Sequence, residues 1–208
     1  MHAELVARMS KPLDTLINGK WVENEKGLVE WSEIDEGTFA RFCEFAYTGD
    51  YQAAAPVRVA PPTPLSTENV DQIAIKQINE SWLLYNKRMK TKTVTYDYSE
   101  VFLSHARLYA FADYYSIEDL MELSIRKLDE QMGCFNLHNG GRVTDVVQLI
   151  DFSYKNTRSD SVKQDRLRNT LSIYIARHIK ELWPNTDFQG ILESGGVAKD
   201  VIEKLGGV

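Results

Sequence analysis

Apolar residues recur with helical spacing from Val101 almost to the C-terminus, and this pattern limits the fold more than any other feature of the sequence. The pattern breaks at residues 116–117, where Ser116 with Asp119 three positions later predicts a capping box and the start of a second helix. The first apolar stripe contains Val101, Phe102, His105, Leu108, Tyr109 and Ala112. We therefore expect two packed helices here, within a helix-rich fold.

Further helices are predicted in the C-terminal part of the chain. One covers residues 143–154, and a longer one runs from Leu167 through residue 182 until Pro184 prevents its continuation. Asn185 can then cap a short helix at about 186–193, and glycines 195 and 196 precede a last helix at 197–205. No repeat of constant period accompanies them, so a solenoid is not expected.

A shorter helix is predicted before Gly49. Phe39, Phe42, Cys43 and Ala46 form its apolar face, and Gly49 ends it because glycine adopts a left-handed backbone without steric cost. Asp35 offers a carboxylate to the free N–H groups at its start. Upstream, we expect a helix to about residue 18, a turn at Asn18-Gly19 and an alternating strand over residues 28–34.

Residues 52–66 contain four of the six prolines and almost no charge. This composition predicts an extended, poorly ordered excursion from the core. A helix is expected from Glu68, ending in the basic run 87–92. Its apolar stripe, Ile75, Ile78, Trp82, Tyr85 and Met89, either packs on the protein's own core or begins a coiled coil.

Composition favours a protein that binds other proteins inside the cell, in the cytoplasm, the nucleus or both. With 208 residues, a net charge of −6 and a pI near 5.3, the chain lacks the cationic excess of a nucleic-acid or anionic-membrane binder. No apolar run is long enough to span a membrane, and charged residues occupy positions 4, 8, 11 and 14, where a signal peptide would be apolar. Two distant cysteines suit a reducing compartment.

Catalytic and metal-binding patterns are not found in the sequence. The histidines at positions 2, 105, 138 and 178 are scattered, and Cys134 with His138 is a single close pair without a second pair. His105 and His178 lie on apolar helical stripes, where histidines usually serve packing. No nucleophile elbow or phosphate-binding glycine loop occurs. We therefore expect no enzyme activity, metal, cofactor or small-molecule substrate.

Several segments resemble the BTB/POZ family of protein-assembly domains. The segment Phe39 to Gly49 is similar to the family's "F…F…YTG" helix, and His2 to Glu23 is similar to its "H…L..A.S" segment. Residues 108–120 resemble its helical hairpin, while the long insertion and the C-terminal part are similar to the fungal branch. The resemblance implies an α+β fold: a BTB/POZ-like domain over residues 1–132 with an insert at 52–95, then a helical region at 133–208.

The family normally begins with a strand pair before the histidine that matches His2, whereas this chain begins with Met1. The resemblance therefore implies a reduced sheet, because the chain is a shortened form or because "TVTYDY" at 93–98 takes the vacant edge. The missing strands also leave open whether the chain self-associates as family members often do.

The resemblance implies a substrate adaptor that binds the cullin scaffold of a ubiquitin ligase. Trp21 and Glu23 stand where cullin-binding members carry a hydrophobic-x-Glu motif, although Trp21 could instead pack on its own domain. A second hypothesis is a nuclear transcription or chromatin factor that uses the basic run 87–92. A third is an enzyme, which would require a cleft joining His105 or His178 to carboxylates.

Overall fold

The computed structural model describes residues 2–19, 29, 31, 33–59, 96–137, 142–158, 165–193 and 195–206. Most of this part is helical, and its one sheet pairs β1 (Val57–Arg58) with β2 (Tyr96–Asp97) in antiparallel register. The helices of the described part are α1 (Ala3–Ala7), α2 (Lys11–Asn18), α3 (Glu36–Thr48), α4 (Ser99–Tyr114), α5 (Glu118–Cys134), α6 (Val143–Asn156), α7 (Arg166–Arg177), α8 (Ile179–Leu182), α9 (Thr186–Glu193) and α10 (Gly196–Gly206). None of these helices is long and apolar enough to cross a membrane. The number and length of these helices confirm the prediction of a helix-rich fold.

The predicted ends of α3 are confirmed. The Asp35 carboxylate accepts a hydrogen bond from the Thr38 N–H at 2.9 Å, and another from the Thr38 hydroxyl at 2.6 Å. Gly49 has φ 73°, and its N–H donates to the Phe45 carbonyl at 2.8 Å. A side-chain cap and a left-handed residue thus satisfy backbone groups that the helix leaves unpaired at each end.

Helix α4 lies at the centre of the core and packs against α3, α5 and α6. It is buried around most of its circumference, which is why its sequence is apolar on more than one face. Of the residues on the predicted apolar faces of α3 and α4, Phe42, Leu108 and Ala112 are fully buried, and Phe39 is half-buried against the core. Leu120 of α5 is fully buried in the same cluster, and Ile125 packs against it.

The C-terminal helices share this core. Leu167 and Ile175 of α7 and Val197 of α10 belong to the same buried cluster as the residues of α4 and α5. Asn185 caps α9, because its side-chain oxygen accepts a hydrogen bond from the Phe188 N–H at 2.9 Å, as predicted. The proposed domain boundary at residues 132–133 lies within the last turn of α5.

The predicted capping box at Ser116 is wrong. Ser116 has φ 54°, its N–H donates to the Asp113 carbonyl, and the Ile117 N–H donates to the Ala112 carbonyl at 2.8 Å. These two bonds form a Schellman motif, in which a left-handed residue closes the preceding helix. Ser116 therefore ends α4, and α5 begins at Glu118 without a side-chain cap.

The long helix predicted between residues 167 and 182 is interrupted at His178. Its backbone angles, φ −114° and ψ 20°, lie outside the helical region, so α7 ends at Arg177 and α8 begins at Ile179. The His178 ring lies 4.4 Å from the Tyr174 ring, centroid to centroid. The apolar stripe continues across the break, which is why the sequence pattern did not reveal it.

The strand predicted over residues 28–34 is not formed at the described positions 29, 31, 33 and 34. The Ile34 N–H donates to the Trp31 carbonyl at 3.3 Å, so the backbone turns at this point. The Trp31 ring packs among aromatic rings of α3 and α4 instead of facing a neighbouring strand. At the described positions of this run, Trp31 therefore enters the core and no sheet pairing is formed.

Residues 52–58, the first part of the proline-rich segment, are bound to the core by hydrogen bonds. This differs from the predicted poor order over residues 52–66. Tyr51 just before this segment is 1% exposed, and the Ala54 N–H donates to the Ser104 hydroxyl at 3.2 Å. Arg41 donates to the Gln52 carbonyl at 3.0 Å, and β1 pairs with β2. Residues 60–66 and the predicted helix that begins at Glu68 lie outside the described residues.

Candidate protein-interaction groove

A groove of about 510 Å³ lies between the segment that precedes α3, the C-terminal half of α4 and the helix α6. Trp31, Phe111, Tyr115 and Phe152 provide most of its apolar wall, and Ala110 leaves space between them. Apolar concavities with a few polar groups at the rim are typical of binding sites. We take this groove as the candidate functional site.

Trp31 fixes the wall of the groove. Its ring centroid lies 5.7 Å from that of Phe42, 5.9 Å from Phe111 and 6.0 Å from Tyr115. The Phe111 and Tyr115 rings are in turn 4.9 Å apart. Aromatic pairs at these separations add attraction to the burial of their area. The wall is therefore formed by mutually packed rings that connect directly to the core residue Phe42.

Tyr114 extends the aromatic surface to the rim. It is 78% exposed, although it follows the buried turns of α4 directly. Its ring lies edge-on to Tyr115, with centroids 4.9 Å apart and an interplanar angle of 81°. An exposed tyrosine beside an aromatic groove is a feature of protein-binding surfaces, where tyrosine buries much area at low entropic cost.

The charged residues that line the groove differ in the hydrogen-bond and ion-pair partners that they have. Arg107 donates to both carboxylate oxygens of Glu100, at 2.7 and 3.2 Å, and these bonds with the Glu100 charge raise the pKa of the guanidinium. Burial opposes the ionisation of Asp35, but its bonds from Thr38 and the nearby Arg107 hold its pKa below the usual value. Burial raises the pKa of Tyr115, and the exposed Glu33 carboxylate adds to this effect.

The two helical histidines were interpreted as packing residues. His105 is 1% exposed, and its Nδ1 lies 2.6 Å from the Tyr51 hydroxyl, so a buried side chain is its hydrogen-bond partner. Burial lowers the pKa of His105 to about 4, and burial raises the pKa of Tyr51 to about 12. Both groups are therefore neutral near pH 7. His178 packs on Tyr174, with Nδ1 4.0 Å from a Glu181 carboxylate oxygen.

Metal binding has no support in the described part of the chain. No group of three or more His, Cys, Asp or Glu residues is arranged there to hold an ion. Cys134 is exposed, and the His138 of the sequence pair lies outside the described residues.

The site residues predicted from the sequence cannot be compared with this groove. Trp21, Glu23 and the basic run 87–92 lie outside the described residues. The sequence prediction also missed the groove, because residues 31, 111, 115 and 152 come from three separate segments. Adjacent Tyr114 and Tyr115 at the end of a predicted helix were the one local signal of an aromatic surface in this part of the sequence.

No family model matches the chain, and no curated protein matches it significantly.

Proposed function

We propose that the chain is a non-enzymatic protein-interaction module of the BTB/POZ type that serves as the substrate adaptor of a cullin-RING ubiquitin ligase. The observation that carries the interaction role is the aromatic groove with Tyr114 78% exposed at its rim. Interfaces are enriched in aromatic residues, and their strongest contributions come from such side chains.

Contacts between the segments that resemble BTB/POZ domains support the family part of the proposal. The Tyr47 hydroxyl lies 2.9 Å from His2 Nδ1 and accepts a hydrogen bond from the His2 N–H at 3.1 Å. Phe42 and Ala112, from the two helical motifs of the resemblance, are both fully buried in one core. Residues of the three motifs thus pack together, as parts of one domain would.

The cullin part of the proposal rests on the resemblance at Trp21 and Glu23. In this role the Trp21 side chain would fill a cullin pocket and the Glu23 carboxylate would bond beside it. An aromatic anchor of this kind contributes about 2 kcal/mol or more to binding. Replacement of Trp21 by alanine is then expected to weaken cullin binding at least about tenfold.

The test is affinity purification of the full chain followed by mass spectrometry. Wild type is compared with Trp21→Ala and with Trp183→Ala, a control that removes a 56% exposed tryptophan elsewhere. We expect cullin to be recovered with wild type and Trp183→Ala but not with Trp21→Ala, at unchanged melting temperature. Loss of both binding and stability would assign Trp21 to the core. Absence of cullin from the wild-type sample would refute the ligase role, and absence of any specifically co-purified protein would refute the interaction role.

A further inference from the structure

We propose that the groove binds a protein segment in which an apolar side chain is next to a lysine or arginine. This inference rests on the interaction role proposed above and specifies the chemistry of the partner at the same site.

The apolar half of the recognition follows from the shape of the groove. Its wall consists of packed aromatic rings, and Ala110 is the small residue that leaves room for a side chain between the Phe111 and Phe152 sides. The Arg107 guanidinium carbon lies 6.0 Å from the Phe152 ring centroid, which fixes the far side of the groove. An apolar side chain in this space would replace water against aromatic carbon, which is favourable.

The cationic half follows from the charges. Glu100 already compensates Arg107, which is the positive side chain lining the groove. Glu33 and Asp35 also line the groove, and both residues are exposed. The Asp35 carboxylate is held by Thr38 and lies near Arg107, so Glu33 is the acidic residue that a partner would meet first. An acidic partner would meet repulsion from these groups and from the net charge of −6, whereas a lysine or arginine would be attracted.

Tyr114 adds a second attraction for a cation. Its exposed ring lies at the rim, close to Tyr115. The charge of Glu33 contributes to the raised pKa of the Tyr115 hydroxyl, so Glu33 is near this end of the groove. A guanidinium or ammonium above a tyrosine face gains cation–π stabilisation, and a carboxylate nearby strengthens the preference for positive charge. The apolar cavity, the acidic residues and the exposed Tyr114 ring therefore favour a segment in which an apolar residue is next to lysine or arginine.

The test uses a phage library of random twelve-residue peptides, selected on the full chain. Peptides that also bind Ala110→Phe, which fills the groove, or Tyr114→Ala, which alters an exposed residue, are discarded. We expect the remaining peptides to share an apolar residue next to lysine or arginine. Their affinity should fall at least tenfold with Glu33→Lys, and should not change with Glu203→Lys, a matched substitution at an exposed position of α10.

Other outcomes would overturn the inference. Groove-dependent peptides that are acidic or show no cation preference would contradict the charge argument, and recovery of no groove-dependent peptide would contradict the site. A dimer of the chain that Ala110→Phe abolishes would assign the groove to a second copy. If cellular proteins co-purify equally with wild type and both groove variants, the interaction role stands and the groove inference fails.

Discussion

The Tyr51 hydroxyl and His105 Nδ1 lie 2.6 Å apart in a site where each residue is 1% exposed. Their bond connects the segment after α3 to the middle of α4. Lys127 of α5 strengthens the same connection, because its ammonium donates to the Tyr51 carbonyl at 2.8 Å and pairs with Asp50 at 2.6 Å. One tyrosine thereby links three parts of the fold.

Tyr51→Phe should lower the free energy of unfolding by about 1–3 kcal/mol, because it leaves a buried imidazole nitrogen without its partner. Chemical denaturation at pH 7 measures this change. Tyr47→Phe is the matched control, since Tyr47 is 54% exposed and water can replace its bond to His2. Equal effects of the two substitutions would show that the buried bond contributes nothing beyond an exposed one.

Because His105 is buried in its neutral form, the free energy of unfolding should decrease in mild acid. Its folded-state pKa of about 4 lies below the ordinary value of 6.5, so the unfolded chain binds the proton more readily. The free energy of unfolding should therefore fall as the pH decreases from about 6.5 to about 4, by roughly 3 kcal/mol in total. Denaturation at several pH values measures this loss. A His105→Asn variant with the same pH dependence would contradict the assignment.

The left-handed residues Gly49 and Ser116 should respond in opposite directions to substitution. A Cβ added at Gly49 would meet no atom within 4 Å, so Gly49→Ala should cost about 1 kcal/mol through backbone strain alone. Ser116→Gly should stabilise the protein by about 0.5–1 kcal/mol, because it relieves the same strain at φ 54°. Thermal melts distinguish the two signs. Destabilisation by Ser116→Gly would mean that the serine side chain stabilises the fold by more than the backbone strain at φ 54° destabilises it.

Phe42→Ala should cost about 3–5 kcal/mol, because Phe42 is fully buried and its ring lies 4.7 Å from that of Phe111. Such a loss can unfold a marginally stable domain. Tyr114→Ala, at the 78% exposed position, should leave the melting temperature almost unchanged. A melt unaffected by Phe42→Ala would contradict the central place of this residue in the core.

The longer helices were predictable because each carries an apolar stripe long enough to set its period, and α3 carries both of its end signals as well. The single helix expected to about residue 18 is wrong, because the extended backbone of Ser10, φ −162° and ψ 159°, separates α1 from α2. The errors fell where one residue type serves two purposes. Ser116 suits both a helix start and a left-handed turn, and hydrogen bonds to Asp113 and Ala112 decide between them. Trp31 fits an alternating pattern, but its carbonyl accepts a turn-forming bond from the Ile34 N–H, and its ring contacts Phe39 and Phe111. Contacts between distant segments cannot be obtained from local spacing.

The pairing of Val57 with Asp97 brings the chain back to the point where it left the core, so residues 59–95 begin and end at the same place. The entropic cost of closing such a connection grows only with the logarithm of its length. Closure of the chain at this pair therefore sets little limit on the number of residues between Arg58 and Tyr96.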